Sequence, residues 1–274
     1  MIKLLTLCTA ILLAALPVRA EINIQEVTSK SGIKAWLVHE PSIPMIALNI
    51  GFQGASTTDP ADKLGATYLM AGLLEEGAGD MDAIAFKRAA EELATSFGFD
   101  SSRERISISA EFLSENRDAS VALLKAAITT PAFNDVAFTR TKAQVMSIIA
   151  RNKSDPDELA SGAFNELAFK GHAYARPYRG TAETMSALTQ DDMRAAHART
   201  MTKDRLFVGV VGDITADELA IMLDELFGDL PENGADLPTP ITFQASGGTT
   251  VVDFDIPQST AIWGHQGIHQ KDPD

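Results

Sequence analysis

Glu75 and Glu76 are adjacent carboxylates near the end of LGATYLMAGLLEEGAG (residues 64–79), a stretch whose apolar residues recur at helical spacing. A pair of carboxylates can divide general acid and general base work. Neighbours on a helix point about 100° apart, however, so these two cannot converge on one reacting atom. They read as a solvated pair at a helix C-terminus. Metal chemistry on the same helix would need donors at i and i+4, with a base at i+3 on the same face. The stretch contains no His and no Cys.

The remaining candidates are scattered. His265 and His269 lie in a segment read as extended chain, where side chains four residues apart do not converge. In the loop GHAYARPYRGT (residues 171–181), His172 and Tyr174 read as structural hydrogen-bonding groups, whereas Arg176, Tyr178 and Arg179 could bind the carbonyls or carboxylates of a peptide. Arg103, Glu104 and Arg105 form a mixed-charge cluster expected to face solvent. The sequence holds no Ser/His/Asp set in a recognisable elbow and no phosphate-cradling Gly loop. GVVGD lacks the later Gly of a dinucleotide fingerprint.

The elements that must position these groups follow from periodicity. Ile22–Ser29 and Ile33–His39 flank a Lys30-Ser31-Gly32 turn, and Met45–Gln53 is a third strand. The helical frame Leu64–Leu74 comes next, then a helix from Asp82 to about Phe97, a strictly alternating strand Arg105–Leu113, and helices at 115–129, 136–153 and 156–170. A short helix at 189–200, the apolar strand Leu206–Val211 and a helix at 216–227 with Thr215 near its cap complete the series. Runs of strands followed by runs of helices predict an α+β fold, a mainly antiparallel sheet with helices packed on one face. Residues 231–248 (PENGADLPTPITFQASGG) read as a linker after a domain at 21–230. Thr249–Phe254 and Thr260–Gly264 read as strands opening a second domain at 249–274, cut short where the sequence stops.

Composition narrows the classes. Lys3, the apolar run Leu4–Leu16 and the small-x-small site Val18-Arg19-Ala20 predict a signal peptide at 1–20, and with it export to a bacterial periplasm. Cys8, the one cysteine, leaves with that leader, so the mature chain has no disulfide and no thiol nucleophile. The net charge of −14, with no basic stripe, disfavours nucleic acid as a partner. No apolar run after the leader is long enough to span a membrane.

Several of these segments together resemble one family. Residues 65–78 are similar to the stretch G-x-A-H-x-x-E-H-x-x-x-x-G-T of the insulinase/pitrilysin-type zinc peptidases, which include the mitochondrial processing peptidases and bacterial two-subunit relatives. VMSIIARNKSDP (residues 145–156) resembles the family's V-x-x-E-E-I-x-x-x-x-D-x-P. The loop at 171–181, Asn116-Arg117, LFVGVVGD (residues 206–213), and Pro257-Gln258-Ser259 with Gly264 resemble further family segments.

The resemblance implies that the two zinc-binding His fall on Tyr68 and Gly72, the catalytic Glu on Ala71, and the third ligand near Ser147 and Ile148. Zinc is held by imidazole, thiolate and carboxylate, and none of these positions carries one. The family's peptidases are built from paired halves that enclose a chamber, usually with the metal in one half. The resemblance therefore implies a non-catalytic subunit that binds no cofactor, with zinc in a partner carrying H-x-x-E-H and peptide as the shared substrate. A zinc endopeptidase in its own right and a peptide-binding scaffold without a peptidase partner are the alternatives.

Overall fold

The computed structural model describes residues 23–255, 257–268 and 272; the leader assigned to residues 1–20, and His269, lie outside them. Six strands form one sheet: β1 (Gln25–Thr28), β2 (Lys34–His39), β3 (Met45–Gln53), β4 (Ser96–Ser101), β5 (Arg105–Leu113) and β6 (Leu206–Gly212). Their order is β1-β2-β6-β3-β5-β4. Only β2 and β6 run parallel, and every other neighbouring pair is antiparallel. Alternation decides which face is covered. Ala35 and Leu37, Val208 and Val210, Ile46 to Phe52 at every second position, and Ile106 to Phe112 likewise are all buried. On the opposite face Trp36, Phe207 and Val211 are about half exposed.

The helices pack on the buried face: α1 (Ala66–Ala71), α2 (Ala83–Glu92), α3 (Arg117–Thr129), α4 (Asp135–Asn152), α5 (Pro156–Ala168), α6 (Ala182–Ala187), α7 (Gln190–Thr200) and α8 (Ala216–Phe227). One core joins α1, α3, α4, α6, α7 and α8 to the sheet, with Leu69 and Met70 of α1, Leu124 of α3, Met193 of α7 and Leu223 of α8 among its buried residues. Phe86 of α2 packs with Ala78, Leu123 and Ala127 in a second cluster. Phe227 of α8 meets Phe52 of β3 edge to face, ring centroids 6.5 Å apart. Burying each such side chain contributes roughly 1.5–3 kcal/mol. The helix starts are strongly specified. Asp82, Asn134 and Asp155 accept from backbone N–H groups of the first turn, and Thr181, Thr189 and Thr215 each open a capping box.

One of these caps yields a pH test. Glu218 accepts from the Thr215 hydroxyl and backbone N–H and from Arg117 at 2.9 Å, which ties α8 to the start of α3. The Thr215 side chain first, then its backbone and Arg117, hold the Glu218 carboxyl down at about 2. A shift of that size corresponds to roughly 3 kcal/mol. The side chain is 44% exposed, so solvent screening reduces the expected contribution to about 1 kcal/mol. Because the folded value lies below the unfolded one, that stability is present above about pH 4.5 and lost as pH falls toward 2. Glu218→Gln should therefore lower stability by about 1 kcal/mol at neutral pH and flatten the acid limb of a Tm-versus-pH profile.

Three expectations change. The helix expected to reach Phe97 stops at Glu92, because Ala94 turns left-handed (φ 49°) and residues 96–101 pair with β5 instead. Ser-Phe-Gly-Phe suits a half-buried strand, and pairing with a long neighbour outweighs the helical pattern. The frame 64–74 is helical only over Ala66–Ala71 and continues as turns. Residues 249–254 and 260–264 form no strands: they are exposed and find no ladder partner. The 231–248 segment has no regular structure but is tied down, with Lys203 N–H donating to Pro231 O, Ala235 N–H to Arg199 O and Gln244 N–H to Ala168 O.

Candidate functional site

The position of α1 is set from both sides of its first turn. Asp59, 2% exposed, accepts from the backbone N–H groups of Gly65 (3.1 Å) and Thr67 (3.3 Å), from the Thr67 hydroxyl (2.6 Å), and from Arg199 Nη2 of α7 at 2.6 Å. Burial, the largest influence, pushes the Asp59 carboxyl up against the opposing pull of Thr67 and Arg199. On the other side, the chain at 64–65 crosses the chain at 179–180 at backbone contact. Gly65 (φ 89°) and Gly180 (φ 79°) make that approach possible. A Cβ on Gly65 would lie 2.4 Å from Arg179 O, and one on Gly180 2.2 Å from Leu64 O. The Thr184 hydroxyl adds a bond to Leu64 O at 2.9 Å.

This crossing brings the loop at 171–181 onto α1. Tyr68 and Tyr178 meet edge to face with ring centroids 5.7 Å apart. The Arg179 guanidinium lies 4.3 Å from the Tyr178 centroid and 5.4 Å from that of Tyr68. Arg103, at the entry to β5, lies 5.4 Å from the Tyr178 centroid. Glu158 of α5 approaches Arg179 Nη1 at 3.6 Å. Burial pushes the Tyr178 phenol up, opposed by Arg179. Desolvation opposes the charge of Arg179, but the Tyr68 hydroxyl, Tyr178 and Glu158 together hold its pKa above the ordinary value.

Of the three peptide-contacting candidates, Tyr178 and Arg179 join this cluster. Arg176 does not: its Nη1 reaches the backbone oxygen of Asp59 at 3.5 Å. Arg103 is the residue sequence reasoning missed. Its mixed-charge run was expected to face solvent, yet Arg103 is half-buried on Tyr178 and Glu104 accepts from the Tyr174 hydroxyl. Nothing in the run Arg-Glu-Arg marks which of the two arginines turns inward.

The other positions implied by the family likeness offer no donor. Ala71 is buried, and Gly72 faces Thr141 of α4, whose methyl would sit 3.6 Å from an added Cβ. Ile148 is a half-buried hydrocarbon, and the Ser147 hydroxyl is spent on Ala143 O within its own helix. Among the described residues, no three His, Cys, Asp or Glu side chains are grouped to hold a metal ion. The zinc of the related peptidases does not fit this residue set.

The four described histidines all meet backbone atoms, His265 Nδ1 lying 2.7 Å from Gln266 O. His39 Nδ1 lies 2.8 Å from Ile214 O and His197 Nε2 2.7 Å from Ile128 O, while His172 accepts from Tyr174 N–H and places Nε2 3.0 Å from Thr239 O. Burial and the Glu104 carboxylate push the Tyr174 phenol up to about 12. Glu76 pairs with Arg140, and the partly covered Glu75 carboxyl is raised by desolvation and by Glu76. The two carboxylates thus serve different neighbours.

The fold is an α+β domain, and the positions that the family likeness aligns with zinc donors, Tyr68, Gly72 and Ile148, carry none. The sequence model of Insulinase (Peptidase family M16) matches residues 34–182, and that of the Peptidase M16 inactive domain matches residues 187–274. The chain belongs to the insulinase (M16) peptidase family. It is similar to the non-peptidase homolog YmxG of Helicobacter pylori, 28% identical over 193 residues, which span 70% of this chain and 45% of that protein. It is also similar to an uncharacterized zinc protease of Mycobacterium leprae, 24% identical over 203 residues, which span 73% of this chain and 45% of that one. A crystal structure of a peptidase M16 inactive domain from Pseudomonas fluorescens superposes with a TM-score of 0.75 at 24% identity, covering 81% of this chain and 54% of that one, a likeness of fold. The chain spans about half the length of the relatives it matches.

Proposed function

We propose that this chain is a non-catalytic subunit of an exported, periplasmic insulinase-type peptidase, pairing with a homologous subunit that carries H-x-x-E-H and zinc. It contributes chamber wall and a peptide-binding surface built around Tyr68, Tyr178 and Arg179. In the same reading, residues 1–20 are the leader, 21–230 the first domain, 231–248 the linker and 249–274 the start of a second domain.

The observation that carries the proposal is the aromatic and cationic cluster around Tyr68, on the helix that the family likeness aligns with a zinc-binding one. Zinc lowers the pKa of a bound water and so generates the nucleophile of such enzymes. Tyr68, Ala71 and Gly72 supply no thiolate, imidazole or carboxylate to hold it. Rings and guanidinium groups can still hold an extended peptide through stacking and hydrogen bonds to carbonyls. The name of the Helicobacter pylori relative, a non-peptidase homolog, is consistent with this reading.

The test is hydrolysis of an unstructured peptide by the isolated chain and by its mixture with a homologue from the same genome bearing H-x-x-E-H. Chelator-sensitive cleavage is expected only in the mixture. Cleavage by the isolated chain overturns the proposal.

A further inference from the structure

The cluster at Tyr68 and Tyr178 holds more positive charge than its surroundings neutralise. Arg103 and Arg179 both lie against the Tyr178 ring. The Nε atoms of both are buried without a hydrogen-bond partner. Among the described residues, the one carboxylate in salt-bridge range is Glu158, at 3.6 Å from Arg179 and itself 47% exposed. Arg103 makes no ion pair among the described residues, and its guanidinium lies 5.4 Å from the Tyr178 centroid. In a chain of net charge −14, such a local cationic excess is against the general trend. Arginines elsewhere show what a matched group looks like: Arg199 on Asp59 at 2.6 Å, and Arg117 on Asp118 and Glu218 at 3.0 and 2.9 Å.

We infer that Arg103 and Arg179, held on the faces of Tyr178 and Tyr68, form a carboxylate-binding subsite for a bound peptide. This rests on the peptide-binding reading above and gives it a chemical preference. A guanidinium is planar and can donate two parallel hydrogen bonds to a carboxylate. Stacking on an aromatic face restricts the side chain before the ligand arrives, so less rotamer entropy is lost on binding. Partial burial strengthens the interaction relative to an arginine in open water. The carboxylate can come from a peptide C-terminus or from an Asp or Glu side chain. Glu158, the one acidic neighbour, is placed to compete weakly.

The test uses the full chain and three labelled peptides of one neutral, unstructured sequence. The first has a free C-terminal carboxylate, the second a C-terminal amide, and the third an amide with one internal Glu. Titration should show the free acid binding about tenfold or more tightly than the neutral amide, the scale of one charge-assisted hydrogen-bonded pair. Arg103→Gln and Arg179→Gln should each erode that margin, and the lysine variants should keep part of it. Arg140→Gln, on α4 and paired with Glu76, should leave it intact. Thermal melts of each variant separate lost binding from lost fold. If the Glu-bearing amide matches the free acid, a carboxylate from either source is accepted; if it matches the neutral amide, the subsite takes chain ends. Equal binding of all three peptides, or a margin that survives both Gln variants, overturns the inference and leaves peptide binding standing; a margin for the Glu-bearing amide alone assigns the subsite to side-chain carboxylates. Failure of all three peptides to bind removes the peptide-binding reading and the subsite with it.

Discussion

Asp59→Ala is expected to destabilise the protein by about 3–5 kcal/mol, the range for removing one partner of a buried charge pair. For a chain of this size that corresponds to a fall of roughly 10 °C in Tm. Three losses combine. Arg199, whose side chain is 15% exposed, is left without its carboxylate. The N–H groups of Gly65 and Thr67 lose their shared acceptor at the start of α1. The Thr67 hydroxyl, itself buried, loses its partner at 2.6 Å.

The cost arises from breaking the pair rather than from any large gain in having it. Replacing both members, as in Asp59→Ala with Arg199→Met, should therefore destabilise less than the sum of the single changes. The pH dependence has a definite sign. Burial raises the Asp59 carboxyl above its unfolded value, so between those two values the folded chain holds a proton that the unfolded chain has released. The contribution of this group to stability falls as pH rises across that window and is level above it. Denaturant melts of the single and double variants across that range check both statements.

Gly180→Ala is expected to cost about 2–4 kcal/mol, combining a left-handed backbone with a steric clash. The new methyl would sit 2.2 Å from Leu64 O and 3.0 Å from Thr184 Oγ1, and backbone atoms cannot move aside as a side chain does. Gly171→Ala isolates the backbone part of the effect. Its φ of 78° is nearly the same as that of Gly180, but a Cβ there meets nothing within 4 Å. Its cost should be about 1 kcal/mol. The difference between the two variants measures how tightly the 179–180 segment is pressed on the start of α1. Since that contact aligns Tyr178 and Arg179 with Tyr68, Gly180→Ala should also weaken peptide binding while Gly171→Ala leaves it unchanged.

Much of the fold was legible in the residues, and the exceptions have physical causes. Strict alternation in Arg105–Leu113 fixed β5, and Asp82 and Thr215 marked the starts of α2 and α8, because both signals are local. β4 was hidden. Ile84, Ala85, Ala89 and Leu93 carry a helical stripe that Phe97 happens to extend, and only pairing with β5 shows that the chain has already turned at Ala94. The short α6 was likewise not foreseen, although Thr181 and Thr184 form its capping box. Thr249–Phe254 looked like a strand because its composition suits one, but a strand needs a neighbour, and none of the described residues pairs with it.

The site divides the same way. That Tyr68, Ala71 and Gly72 offer no metal donor follows from residue type alone, whereas their alignment with a metal frame rests on the family likeness. Tyr178 and Arg179 stood out as chemistry-bearing residues of one loop. Their meeting with Tyr68, and the recruitment of Arg103 from the turn between β4 and β5, depend on the Gly65–Gly180 crossing, a contact between segments more than a hundred residues apart. No local pattern encodes it.

The most direct measurement is the zinc content of the purified chain, free of homologues and dialysed against metal-free buffer after zinc loading. Expected is zinc far below one equivalent, with no peptide hydrolysis that a chelator abolishes. About one tightly held zinc per chain, accompanied by chelator-sensitive cleavage, would contradict the reading of Tyr68, Ala71 and Gly72 as a frame without donors.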